Sequence, residues 1–226
     1  MCALLNPDLY NVINSKGRLK QQVYQNTLDS INLVKKVIAD LLQDYKKQFN
    51  ADSDAIPFIM QDMGEFEVHL QFAGDVLIFN MHTNVFEFSR YHEVMSTNYI
   101  REDKARSYCG IINIYNFLAD SFRYNRSNDV GYLIGRIFVN KDKCYFIEGK
   151  REVGLLYNNF GQEVLDEMAA RKIVESAILY TINFDLLTPP FDSVKEISLE
   201  EMKSIAESYT LKTGKRLGFK FQADKE

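Results

Sequence analysis

Apolar and polar residues alternate without a break from Glu65 to Phe72, with Phe66, Val68, Leu70 and Phe72 on one side and Glu65, Glu67, His69 and Gln71 on the other. A period of two predicts a strand with one face buried and one in water. Gly74 and Asp75 follow, and they suit a two-residue type II′ loop in which Gly takes the central position with positive φ. The loop implies a register in which Phe72 faces Leu77, Leu70 faces Phe79 and Val68 faces Met81, gathering large apolar pairs on one face. A second turn at Thr83 and Asn84 would extend that face into a third strand, with Met81 opposite Phe86 and Phe79 opposite Phe88.

Helical spacing brackets this region. From Leu19 to Lys47 the positions Tyr24, Leu28, Ile31, Val34, Ile38, Leu41 and Tyr45 recur three and four apart, which predicts one long helix with a single apolar face over about residues 19–48. Such a helix is long enough to run past a compact sheet, so its stripe either packs on the sheet or offers a homodimer seam to a second copy. Leu165, Met168, Ala169, Ile173, Ala177, Ile178 and Ile182 predict a further helix from Gly161 to about Phe184, although its second half, AILYTINF, is also compatible with a strand. The last helix has the clearest start, with Ser198 as N-cap, Glu201 closing a capping box and Ile197 set to staple onto Met202. Gly214 supplies its left-handed stop, and RLGFKF beyond it reads as a short edge strand.

Between these helices a second β-rich block runs from Tyr108 to Gly149. GYLIGRIFVNKDKCYFIEG predicts a hairpin around Asn140 to Lys143, with Val139 facing Cys144 and Ile137 facing Phe146. Residues 89–107 are charged and aperiodic and read as loop with a short helix. The expected fold is therefore α+β, a single domain over 1–226, with about six antiparallel strands in two meanders over 64–149. The long N-terminal helix and two C-terminal helices, over 161–214, pack against them.

Composition agrees with a folded chain: 46% hydrophobic and 26% charged, with 11 Gly and 4 Pro in 226 residues, is too apolar for widespread disorder. A net charge of −4 argues against a dedicated nucleic-acid binder. Cys2, Cys109 and Cys144 are odd in number and widely spaced, which fits reduced thiols in a cytoplasm. No basic, apolar leader opens the sequence and no run of 18 apolar residues is present to span a membrane.

The expected register defines candidate chemistry. On the polar face Glu67 falls across from His82, while His69, Asn80 and Glu87 form a row and His92 follows in the next loop. An imidazole beside a carboxylate can share a proton or hold a metal, but a solvated sheet face carries such pairs as well. A second candidate surface combines Arg123, Tyr124 and Arg136 with Tyr145, next to Tyr132, Phe138 and Lys141, the aromatic and basic mixture that stacks and neutralises single-stranded RNA. The same mixture also occurs where Arg stems lie along rings under a helix. Asn50, Asp52 and Asp54 imitate the start of an EF-hand loop, but Ala55 and Gln61 stand where Gly and Glu are required.

Phosphate-binding, dinucleotide, zincin and α/β-hydrolase motifs are all absent. No residue is assigned a catalytic or metal-binding role and no cofactor is implied. The expectation is a non-enzymatic cytoplasmic binding or regulatory module for a protein partner or a small ligand. Two alternatives remain open: a metal-dependent or acid/base hydrolase on the Glu67, His69 and His82 face, and single-stranded RNA binding through the aromatic and basic face.

Overall fold

The computed structural model describes residues 8–49, 55–149, 160–184, 188 and 190–208. Its first element, α1 (Leu9–Phe49), buries a stripe made of Val23, Asn26, Thr27, Ser30, Ile31, Val34, Val37 and Ile38. Thr27 and Ser30 sit in that stripe because their hydroxyls donate to the carbonyls of Val23 and Asn26, each at 2.7 Å, so no polar atom is stranded. The helix starts ten residues before the predicted Leu19, and in this extension Leu9, Tyr10, Val12 and Ile13 are exposed. Apolar periodicity marks only the part of a helix that packs, which explains the difference.

One antiparallel sheet of seven strands replaces the two predicted meanders. The strands are β1 (Phe58–Asp62), β2 (Glu67–Phe72), β3 (Asp75–Met81), β4 (Phe86–Glu87), β5 (Tyr108–Leu118), β6 (Tyr132–Asn140) and β7 (Tyr145–Gly149). They lie in the order β1-β2-β3-β5-β6-β7, and β4 pairs with β5. The β2–β3 hairpin forms, but Phe72 pairs with Asp75, Leu70 with Leu77 and Val68 with Phe79. The loop is thus Ala73-Gly74 instead of Gly74-Asp75, and Ala73 takes the positive φ of 47°. A displacement of two residues keeps every side chain on its predicted face, whereas one residue would have reversed them all. Asp75 accounts for the preference, because its carboxylate is buried and accepts from Asn116 Nδ2 on β5 at 3.1 Å.

Two other pairings differ from expectation. The chain does not reverse at Thr83-Asn84: it bends and continues along the same neighbour, so β3 lies against Ile112–Leu118 and β4 against Tyr108–Cys109. In the β6–β7 hairpin Val139 faces Tyr145 and Ile137 faces Ile147, one residue from the predicted register. Five residues span the turn, with Lys143 at φ 61°. Asn140 holds this loop together: its Oδ1 accepts from the N–H groups of Asp142 and Cys144 at 3.0 and 3.1 Å. The slip moves Tyr145 and Ile147 to the face of Ile137 and Val139, and Phe146 to the face of Arg136 and Phe138.

Helix α1 and a later helix, Glu167–Ile182, cover one face of the sheet and enclose the main core, in which Ile31, Leu70, Leu77, Phe79, Ile112, Ile114, Ile137 and Ile173 are fully buried. Each such side chain contributes roughly 1.5–3 kcal/mol by leaving water. The AILYTINF segment is helical as far as Ile182, capped at the start by Asp166, which accepts from Ala169 N–H at 2.8 Å. On the opposite face residues 93–107, folded as short helical turns that include α2 (Asn98–Glu102), cover one end of the sheet over a second cluster of Phe88, Val94, Ile100, Cys109, Phe138, Phe146 and Phe160. At the other end α3 (Ala119–Arg123) folds back on the sheet. Counting the Glu167–Ile182 helix as α4, two helices complete the described chain, α5 (Phe191–Val194) and α6 (Leu199–Ser208). The capping box forms as expected, Glu201 N–H donating to Ser198 Oγ at 3.0 Å and Ser198 N–H to Glu201 Oε2 at 2.9 Å. The predicted stop at Gly214, the tail strand and Asn50, Asp52 and Asp54 lie outside the described residues; Gln61 is in β1. Among the described residues no helix is long and apolar enough to cross a membrane.

Candidate functional site

Strand register builds the site. On the face away from α1, Glu67 pairs with Asn80, Asn80 with Asn113, Asn113 with Arg136 and Arg136 with Glu148, so five consecutive neighbouring strands place one polar side chain each in a straight transverse row. At about 4.8 Å per strand the row spans ~19 Å. Ile111, Phe138 and Phe146, under the 93–107 cover, bound it on one side. On the other side are Ile78, Tyr115 and His69, whose ring meets the Phe122 ring of α3 edge-on at 5.7 Å between centroids. Tyr115 and Ile111 are four residues apart on β5, which makes the trough ~14 Å wide.

Hydrogen bonds fix both ends of the row. Glu67 Oε2 accepts from Asn80 Nδ2 at 2.7 Å, and its Oε1 lies 2.8 Å from His69 Nε2, which donates in the Nε2–H tautomer. The His69 side chain is 10% exposed against 31% for Glu67, so the imidazole supports the carboxylate from beneath. At the far end Glu148 Oε2 accepts from Arg136 Nε at 2.9 Å and also from Nη2, while the guanidinium lies over the Phe138 ring at 5.3 Å. In the middle, among the described residues, no side-chain hydrogen bond holds Asn113, which is half-buried.

The remaining predicted residues do not join this site. His82 is exposed; its Nδ1 accepts from Asn84 N–H at 3.0 Å and its ring packs edge-on against Phe86, so the expected Glu67/His82 pair is not formed. Glu87 is exposed on β4 beside Tyr108. His92 caps a helical turn by accepting from Val94 N–H at 3.3 Å, and its ring packs on Phe88 and Phe146. The three histidines, which share one short stretch of the sequence, therefore serve three separate local structures. Among the described residues no three His, Cys, Asp or Glu side chains converge as metal ligands.

The aromatic and basic surface is likewise dispersed. Arg123 and Tyr124 stand together near the end of α3, guanidinium over ring at 5.4 Å, whereas Tyr145 is buried on the helix-covered face with its hydroxyl donating to Glu163 Oε2 at 3.1 Å. Tyr132 packs against the main core, and the Lys141 ammonium pairs with Asp103. Cys109 and Cys144 are free and buried, and desolvation pushes the Cys109 thiol up to about 12, which leaves it a packing residue instead of a nucleophile.

Comparison with known protein families, with curated proteins and with solved structures finds no match. The functional reading accordingly rests on the trough itself. Of its two unforeseen members, Asn113 depends on the long-range pairing of β5 with β3, and Glu148 on the shifted register of the β6–β7 hairpin that sets it opposite Arg136. The only local hint is the alternation Ile112, Asn113, Ile114 inside an otherwise apolar run.

Proposed function

We propose that this chain is a non-enzymatic cytoplasmic binding module whose recognition surface is the polar row Glu67–Asn80–Asn113–Arg136–Glu148, and that its partner is a protein engaged through an extended segment. The observation that carries the reading is the row's continuity across five strands, on a stretch of sheet face that no described helix covers. An amide side chain offers a donor and an acceptor at once, as a peptide group does, so Asn113 and the Oδ1 of Asn80, to which no described residue donates, suit a partner's main chain. Carboxylates at both ends favour lysine or arginine flanking that segment. At ~3.3 Å per residue a ~19 Å row accommodates about six extended residues. The half-buried apolar borders, Ile111 on one side and Ile78 and Tyr115 on the other, give alternate side chains of such a segment somewhere to rest.

Selection of a displayed library of random peptides on the folded protein tests this, followed by amide chemical-shift mapping of the enriched peptides. Enriched sequences should carry basic flanks and perturb Asn80, Asn113 and Arg136, and Asn113→Leu should weaken them at least tenfold. Peptides that map to other surfaces, or a selection without enrichment, would remove the reading.

A further inference from the structure

The outer edge of β1 ends the sheet, and its backbone polarity follows from one hydrogen bond. Met63 N–H donates to Glu67 O at 3.2 Å, and the register continues with Gln61 opposite His69 and Ile59 opposite Gln71. Residues 59, 61 and 63 therefore turn their peptide groups toward β2, and Phe58, Met60 and Asp62 turn theirs outward. The next outward carbonyl, that of Ile56, accepts from the Tyr45 hydroxyl at 2.8 Å, which closes the series at one end. Among the described residues nothing pairs with the N–H and C=O groups of Phe58, Met60 and Asp62.

Such an edge is usually blunted by charge or proline. Here Pro57 precedes the strand, and the single charge within it, Asp62, is neutralised by Lys35 Nζ at 2.8 Å. Along the same edge Ile56, Ile59 and Met63 are 55%, 42% and 55% exposed, and Phe49 at the end of α1 is 37% exposed. The outward residues are symmetric about Met60. A two-fold axis there sets Met60 against its own copy and Phe58 against Asp62 of the other chain, which satisfies all six outward residues of the two chains and places Ile59 beside the uncharged Gln61. No like charges meet across this axis, because Gln61 is neutral and each Asp62 keeps its Lys35.

We infer that the β1 edge is a self-association surface, on which a second copy of this chain pairs antiparallel about Met60 and joins two seven-stranded sheets into one. The contact is independent of the trough, which lies on a sheet face and not on this edge.

Sedimentation velocity of the full chain tests the inference. A monomer–dimer equilibrium in the micromolar range is expected. Met60→Pro removes an N–H that nothing within the described chain uses and also a half-buried side chain packed on the main core, so Met60→Ala serves as its control: both should stay folded by circular dichroism, while the dimer constant of Met60→Pro weakens at least about tenfold relative to Met60→Ala. Register is read by cysteine pairing in a Cys2→Ser background. An oxidised mixture of Ile59→Cys and Gln61→Cys chains should give a disulfide-linked dimer that neither gives alone, since this facing pair has Cα atoms about 4.5 Å apart. A strict monomer would overturn the inference. So would a dimer that Met60→Pro leaves intact and that Leu9→Lys with Ile13→Lys abolishes, which would move the contact to α1.

Discussion

At Gly110 the backbone of β5 lies close against Thr27 of α1, and adding one methyl group there measures that approach. A Cβ on Gly110 would stand 2.0 Å from Thr27 Oγ1 and 2.8 Å from both Thr27 Cβ and Cγ2. Thr27 is fully buried and its hydroxyl is committed to Val23 O, so the side chain cannot swing away without stranding a polar atom, and another rotamer brings Cγ2 into the same space. Gly110→Ala should therefore cost ~3 kcal/mol, at the upper end of what overpacking costs, even though Ala is the better strand residue. For a chain of this size that lowers the melting temperature by roughly 6–12 °C. Urea unfolding followed by circular dichroism gives the free energy directly. Thr27→Gly removes all three opposing atoms, so the double variant should be more stable than the sum of the single losses by about 2 kcal/mol or more. A Gly110→Ala protein within about 0.5 kcal/mol of the parent, or strictly additive losses, would refute the close approach of helix and sheet.

Two further perturbations probe the loop and the buried thiol. Asn140 is fully buried and its side chain serves the N–H groups of Asp142 and Cys144 and the Tyr99 hydroxyl, so Asn140→Ala leaves two backbone donors unsatisfied. A loss of ~2–4 kcal/mol in urea unfolding is expected, and a loss under about 0.5 kcal/mol would show that Asn140 does not hold the turn. Burial raises the Cys109 thiol from an ordinary 9.0 to about 12, so the folded state favours the protonated form. That contribution to stability is complete below about pH 9 and is lost as the pH rises toward about 12. The alkaline decline in stability should be shallower in Cys109→Ala, and identical slopes in the two proteins would contradict the assignment.

Faces were legible in the sequence wherever a short period of two or a helical stripe was anchored by burial. Val68, Leu70 and Phe72 point inward and Glu67 and His69 outward although the hairpin closes two residues away from the expected pair, because an even displacement conserves sides. The capping box at Ser198 was equally readable, since both partners lie within one helical turn. Registers were not legible. Asp75 found a buried partner on β5, 41 positions further along, and Asn140 drew the β6–β7 turn out to five residues, an odd change that reversed Tyr145 and with it the expected aromatic and basic surface.

Sequence by itself thus determined the α+β class, the inner and outer sides of β2 and β3, and the centres of the packed stripes, Ile31, Val34 and Ile38 on α1 and Ala169, Ile173 and Ala177 on α4, all set by neighbours a few residues apart; Met168 and Ile182, expected in the second stripe, are exposed. Tertiary structure alone decided that His69, His82 and His92 part company and that Asn80, Asn113, Arg136 and Glu148 line up with Glu67. That row depends on which strands pair and in what register, and pairing is decided by buried polar partners and core contacts between residues far apart in the chain.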